Sequence, residues 1–461
     1  MICKPAISKA FFFASLMLAS IFCLCAEAAP PEKFKFPIRI NDSGRYFEDQ
    51  NGKPVLIHGD SAWSLIAQLG LEETEFYLDH RKSQGFNAIL VNLIERKFSA
   101  SPPHNASGDR PFLRPGDFST PNEAYFAHAD AVIAMAAQKG LLVFLVPAYL
   151  GWKGGDEGWF QDIRITGADH VRQYGRFVGS RYRSFSNIVW VLGGDFTPPR
   201  QYQWSVDALA EGIRAGGATQ LMTVHCGQES PARVFGDRQW LDFNNVYSQA
   251  GDLYDSTIKE YQRKPVKPFI MIESVYEGEH HSTPDRIRRQ AYWSILTGAA
   301  GHFYGNNPVW NFDSPSKVFP TEQHWKDALD SRGAKDMSQL WKLFLGVRWN
   351  TLKPDEEHGF LVAGYGETGG DKYSTAAVTS DGTAAILYVA AGAPEKFSME
   401  LKKNWAVYKA MWVDPTDGDM IPIYASTDYQ ARRKDISTPG TNHSGAKDWV
   451  LYIQMKPKNP H

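Results

Sequence analysis

Two acidic residues stand directly behind runs of apolar residues, a placement that sets carboxylates at the ends of buried strands. Asp195 follows Ile188-Val189-Trp190-Val191-Leu192 and the pair Gly193-Gly194, and Glu273 follows Phe269-Ile270-Met271-Ile272. Both runs are unbroken and bounded by turn formers or polar residues, which reads as strand buried on both faces. Glycine has no Cβ, so Gly193-Gly194 lets backbone or ligand come close and delivers Asp195 to the strand's C-terminal edge. Pro198 and Pro199 keep a helix from starting at once. A Glu behind four buried apolar residues is costly unless something uses it. Taken singly, each acid reads equally well as a solvent-facing cap. Taken as a facing pair, one protonated and one ionised, they can cleave a glycosidic bond. One protonates the leaving oxygen while the other attacks the anomeric carbon or activates water. Repulsion and partial burial would push their pKa values apart and so divide the roles.

The elements that must position this pair repeat along the chain. Asn51-Gly52 marks a hairpin, and its second arm runs into His58-Gly59-Asp60-Ser61-Ala62-Trp63. Helical stretches are predicted over 72–84, 123–139, 169–185, 202–215, 285–297 and 325–344, the first two ending at Gly85 and Gly140. They alternate with strands that end at Asp60, Asn92, Tyr149, Asp195, His225, Tyr247, Glu273 and Tyr304. Eight alternating units over about 300 residues is the rhythm of an α/β fold of the (β/α)8 TIM barrel type, whose C-terminal strand edge carries the chemistry. A doubly wound sheet is the structural alternative, but no glycine-rich phosphate turn follows the first strand. On this count Asp195 closes strand four and Glu273 strand seven. Trp63 and Tyr149 could floor a sugar subsite by stacking, and Asp60, Asn92, His225 and Tyr247 could bind hydroxyls. Tyr247 and Tyr304 could hydrogen-bond the nucleophile, and Trp310 could wall the pocket. For each of these a packing or capping role is the competing reading, and the shared position at strand ends favours the site.

Past residue 350 the pattern changes to short apolar runs at 360–362, 384–390, 411–413, 420–424 and 449–453, with Asp381-Gly382 and Asp417-Gly418 as hairpin turns. This predicts a small all-β sandwich over 351–461 behind a barrel over 29–350. Residues 1–28 read as a secretory signal peptide: Lys4 and Lys9, an apolar run from Ala10 to Cys25, then Ala26-Glu27-Ala28 before the cut. The expected location is therefore secreted or periplasmic, with no membrane span after cleavage. Cys3, Cys23 and Cys25 would leave with the signal, so Cys226 remains alone without an internal disulfide. With 49 basic against 51 acidic residues and no basic run, nucleic acid is not an expected partner. Aromatic residues make up 13% of the chain, including 14 Trp and 20 Tyr, which suits faces that stack on sugars. Glu277 reads as structural. Glu279-His280-His281 lacks further ligands at zinc spacing, so no metal and no cofactor is expected. Asn41, Asn105 and Asn442 begin glycosylation sequons.

Several motifs in order sharpen the reading. Gly59-Asp60-Ser61-Ala62-Trp63, Gly85-Phe86-Asn87 and Trp190-Val191-Leu192-Gly193-Gly194-Asp195 are followed by Ile272-Glu273, Tyr276-Glu277-Gly278, Arg289-Gln290-Ala291-Tyr292-Trp293-Ser294 and Gly298-Ala299-Ala300-Gly301-His302-Phe303-Tyr304-Gly305. In these the chain, from residue 36 to about 461, resembles the apiosidase-like glycoside hydrolases, barrels followed by a β domain of the type named collagen-binding. The resemblance implies a retaining glycoside hydrolase with Asp195 as acid/base and Glu273 as nucleophile. It also implies an oligo- or polysaccharide substrate from the plant cell wall, with an apiosyl linkage of rhamnogalacturonan II as the bond cut. The chain departs from the family pattern at His225-Cys226-Gly227-Gln228, where His-Pro is commoner, and at Ser248-Gln249-Ala250, where Gln-Ser-Gly is usual. Those departures bear on which sugar is taken rather than on the reaction. The rival expectations are a hydrolase of the same mechanism acting on another sugar, and a non-catalytic carbohydrate-binding or matrix-adhesion protein.

Overall fold

A computed structural model of the chain describes residues 34–248, 251–314, 319–402, 405–423 and 433–457. The signal-peptide segment and residues beyond Ile423 in the run at 420–424 lie outside the described residues. Eight parallel strands form the central sheet: β1 Ile57–Ser61, β2 Ala88–Asn92, β3 Leu142–Val146, β4 Ile188–Gly193, β5 Met222–His225, β6 Asn244–Tyr247, β7 Phe269–Glu273 and β8 Gly301–Tyr304. Their hydrogen-bonded order is β5-β4-β3-β2-β1-β8-β7-β6, so the last strand pairs with the first, with His302 beside His58. Between β5 and β6 side chains complete the closure. Asn245 donates through Nδ2 to Thr223 Oγ1 at 3.0 Å and to the Val224 carbonyl at 2.9 Å, and Thr223 Oγ1 donates to the Phe243 carbonyl at 2.8 Å. The eight strands and their helices make the expected (β/α)8 barrel.

Strand residues alternate between two surroundings, as parallel strands covered by helices must. Ile57, Ala88, Leu90, Leu142, Phe144, Val189, Val191, Ile270, Ile272 and Phe303 share one buried interior cluster. Their neighbours Ile89, Val91, Val143, Leu145, Trp190 and Leu192 pack outward against helices such as Glu123–Gln138 and Ala168–Tyr182. The helical stretch anticipated over 325–344 is two helices, Trp325–Ala328 and Arg332–Leu345. Ser331 breaks it, because its side chain accepts the Ala334 N–H and starts a new helix as an N-cap. Glu277 completes that cap by accepting the Gly333 N–H at 2.9 Å and the Ser331 hydroxyl at 2.7 Å, a structural task. A helix at Leu253–Gln262, between β6 and β7, carries no clear signal in the sequence.

Behind the barrel lie two antiparallel sheets. The larger runs Leu352–Pro354, Thr375–Thr379, Ala384–Val389, Trp449–Pro457, Trp405–Val413 and Met420–Pro422, and the smaller joins Leu361–Ala363, Lys396–Glu400 and Arg433–Ser437. Alternation shows why the larger sheet is apolar on both faces. Ala385, Leu387, Leu451 and Ile453 meet Phe397 and Met399 of the smaller sheet, while Ile386, Tyr388 and Val450 pack with Tyr292, Met337 and Phe344 of the barrel helices. At that second contact Arg288 is fully buried and holds two acids. Its Nε and Nη2 donate to Asp448 at 2.6 and 2.7 Å, and its Nη1 donates to Asp336 at 2.5 Å. Asn105 and Asn442 are buried, and Asn442 Nδ2 donates to Asp448, so neither sequon presents its amide to solvent.

Candidate active site

At the C-terminal edge of the barrel strands lies a cavity of about 660 Å³, lined among others by Trp63, Asn92, Tyr149, Asp195, Tyr247, Glu273 and Trp310. Asp195 reaches it through a strained turn. Gly193, Gly194 and Asp195 all take positive φ, at 80°, 121° and 50°. Close approach is a second reason for the glycines: a Cβ on Gly193 would sit 2.4 Å from the His225 carbonyl oxygen, and one on Gly194 would sit 2.3 Å from the Tyr149 ring. Tyr149 uses that proximity to donate its hydroxyl proton to Asp195 Oδ2 at 2.7 Å. The other oxygen, Oδ1, is buried without a hydrogen-bond partner.

Glu273 arrives by a different device. Along β7, Ile270 and Ile272 face the interior and Phe269 and Met271 face the helices, so strict alternation would turn Glu273 outward. A register irregularity between Met271 and Glu273, against β6, breaks the alternation and leaves Glu273 in the cavity. His225 Nε2 lies 2.7 Å from Glu273 Oε2 and 3.8 Å from Asp195 Oδ1. Its Nδ1 faces both the Asp195 N–H, at 3.2 Å, and the Cys226 carbonyl, at 2.8 Å. As the neutral Nε2–H tautomer it accepts from Asp195, and as imidazolium it donates to Cys226. In both forms the Nε2–H donates to Glu273.

One donor atom from each of Asp195, His225 and Glu273 lies within 4.8 Å of the other two, so the two carboxylates face each other at close range. Burial, and then the charge of Asp195, push the Glu273 carboxyl up to about 7, against the lowering pull of His225. His225 is itself raised by the two acids, against its burial. Such a trio titrates as a unit, and near neutrality it holds a proton for a reaction to use. The same donor set could also hold a cation. The histidines His280 and His281 belong to no cluster of three ligands among the described residues. Burial pushes the Cys226 thiol up to about 12, which leaves it inert as a nucleophile.

Not every residue marked from sequence is at the cavity. Asp60 is fully buried on the helix side of β1, where it accepts from Tyr77 Oη at 2.5 Å and Arg81 Nε at 2.8 Å. Tyr304 is also turned outward and donates to Glu277, away from Glu273. Both lie at the C-terminal ends of their strands, but strand parity, not rank in the strand, decides which side chains face inward. Asn92 shares the inward parity of Ala88 and Leu90, and its buried Oδ1 has no partner. Tyr276 and Glu279 line the cavity as well, though neither was marked as a site residue from the sequence. Tyr276 Oη accepts the Trp63 indole N–H at 2.7 Å, which fixes the Trp63 ring.

The family described as "Apiosidase-like, catalytic domain" matches residues 41–351. Among solved structures, one described as a glycoside hydrolase is 25% identical, with a TM-score of 0.78 over 92% of this chain and 98% of its own. A glycoside hydrolase family 5 protein from Bacteroides vulgatus is 24% identical, with a TM-score of 0.76 over 90% and 93%. A third structure, a family 5 mannosidase from Rhizomucor miehei, is 13% identical with a TM-score of 0.51 over 68% and 98%, and shares the fold. No curated protein matches the chain.

Proposed function

This chain belongs to the apiosidase-like catalytic domain family of glycoside hydrolases, and from that premise we propose that it is an exported retaining glycosidase that removes an apiosyl or similar small sugar from a plant cell-wall polysaccharide. The observation that carries the mechanism is the close approach of Asp195 and Glu273. Oxygens within 4.8 Å match the short carboxyl spacing of retaining enzymes rather than the wider gap of inverting ones, and on that ground Glu273 attacks the anomeric carbon itself. Asp195 serves as acid and then as base, its carboxyl oriented by the Tyr149 hydroxyl on Oδ2. His225 stabilises the ionised nucleophile through Nε2. Trp63 and Trp310 are the walls, and Asn92 and Tyr247 are the hydroxyl partners. The deciding experiment is chromatography of products from pectin fragments bearing intact apiosyl side chains, beside arabinosyl, galactosyl and glucosyl oligosaccharides. Release from the first alone supports apiose, and release from another discards apiose and keeps the hydrolase. Binding without release from any of them favours a non-catalytic carbohydrate-binding protein.

Two further outcomes follow from the trio. In His225→Ala the Glu273 carboxylate loses a hydrogen bond and a positive neighbour, both of which lower its pKa. The acidic limb of the kcat/KM profile therefore moves to higher pH. The loss is about tenfold or more at pH 6, the scale of a charged hydrogen bond, and smaller at pH 8. A uniform loss at all pH values would contradict the role of His225. Turnover is expected to be unchanged by EDTA, because the two carboxylates supply the nucleophile and the proton. Inactivation reversed by a divalent ion would instead place a cation among Asp195, His225 and Glu273.

A further inference from the structure

Glu279 lines the cavity together with Glu157 and the two reacting acids, and the mechanism above gives it no task. It follows β7 in the loop that carries Tyr276, is only 8% exposed, and lines the same cavity as Asp195 and Glu273. The Trp310 indole N–H donates to its Oε1 at 2.9 Å. Oε2 has no hydrogen-bond partner among the described residues. Among the described residues no cation balances it. Lys97, at the cavity wall, places its ammonium 2.8 Å from Asp156, His280 packs its ring against Phe319, and His225 serves Glu273. The charges that act on Glu279 are those of Glu273 and Asp195, both of the same sign. A buried carboxylate with no cation and two acidic neighbours is costly, and the cost is removed by taking up a proton.

We propose that Glu279 is a neutral carboxylic acid, oriented by Trp310, whose Oε2–H donates a hydrogen bond to an acceptor oxygen of the bound sugar. The inference rests on the glycosidase reading and names a specificity-determining contact within that site. With Oε1 occupied by the indole, the remaining proton has only the cavity to face. Burial and the charge of Glu273 push the carboxyl up to about 8, consistent with a protonated group at neutral pH. A neutral donor at this wall selects sugars that present a hydroxyl or ring oxygen there. It also adds no charge to a pocket whose two reacting acids depend on sharing few protons.

Glu279→Gln preserves the acceptor for Trp310 and a donor for the sugar, whereas Glu279→Ala removes both. Measured with 4-nitrophenyl apioside, arabinofuranoside and galactoside, whose leaving group needs little protonation, Glu279→Gln keeps kcat/KM within about threefold of the parent. Glu279→Ala loses about 10- to 100-fold, the cost of an unmade buried hydrogen bond. The parent's activity on these substrates falls as pH rises past about 8, and Glu279→Gln lacks that limb. Independently of turnover, the infrared difference between parent and Glu279→Gln at pH 6 contains a protonated-carboxyl stretching band that is gone at pH 10. Equal losses in the Gln and Ala variants would overturn the proposal, since they mean that a charge or the fold is what matters. So would absence of the infrared band. If the parent turns over no glycoside at all, the glycosidase reading fails, and the infrared band alone then decides whether Glu279 is the neutral acid claimed.

Discussion

Glu273→Ala lowers kcat by about 10⁴-fold or more on every substrate, whereas Asp195→Ala loses activity in proportion to how much its leaving group needs a proton. Neither Glu279, held by Trp310, nor Cys226, whose thiol is protonated and buried, is placed to form the covalent intermediate in its stead. The loss on removing a nucleophile is therefore close to the whole advantage of covalent catalysis. Removing the acid costs about 10²- to 10⁴-fold on a sugar leaving group and far less on a nitrophenolate, which departs unprotonated. Azide should restore turnover to Glu273→Ala by occupying the vacated space, with product of inverted configuration. The configuration of the rescued product, read by NMR, is the decisive measurement. Equal fractional losses in the two variants on all substrates would reverse or dissolve the assignment.

Arg288→Met is expected to destabilise the protein by about 3–5 kcal/mol, the cost of removing the cation that buried Asp448 and Asp336 share, with Arg332 left to hold Asp336 alone. Arg288, Asp336 and Asp448 are all fully buried, and Asp448 also accepts from Tyr388 Oη at 3.0 Å and from Asn442. In the variant Asp448 must be protonated or hydrated inside a packed contact, while Asp336 keeps Arg332. A urea titration should show a lower midpoint, and the effect should grow with pH as the abandoned acid ionises. Combining Arg288→Met with Asp336→Asn and Asp448→Asn should recover much of the loss, because the uncompensated charge is then gone. A midpoint within experimental scatter of the parent would mean that water reaches this cluster freely.

The barrel was legible because its signal is redundant. Strands two, three, four and seven are short apolar runs ending in a polar or aromatic residue or a glycine turn, and helices, several with glycine stops, separate them. The acids were legible for the same reason, as carboxylates in places where burial is otherwise total. What could not be read was direction. Asp60 and Tyr304 end their strands as Asn92 and His225 do, yet they point into the helix layer, and only the parity of each strand against its interior residues separates the two groups. Glu273 has the opposite difficulty, since parity alone would have sent it outward and the irregularity that corrects it depends on pairing with β6. Tyr276 and Glu279 were hidden because they lie in a loop beyond the strand, where no periodicity applies and only the folded path brings them to the cavity. The break at Ser331, which divides the stretch 325–344 into two helices, carries no local signal because its cap is shared with Glu277, more than fifty residues earlier in the chain.

The irregular last step of β7 has a consequence for how this protein can change. Ile270 and Ile272 answer to the barrel interior and Phe269 and Met271 to the helix layer, so each of the four is constrained by neighbours on its own side. Glu273 is released from that alternation and answers to neither packing layer. Selection can therefore act on the reactive position without disturbing the residues that hold the scaffold together, and the scaffold can drift without displacing the reactive group. The practical corollary is that Glu273→Gln should fold as the parent does and bind intact substrate without consuming it, which makes position 273 the natural place to build a trap for identifying the sugar.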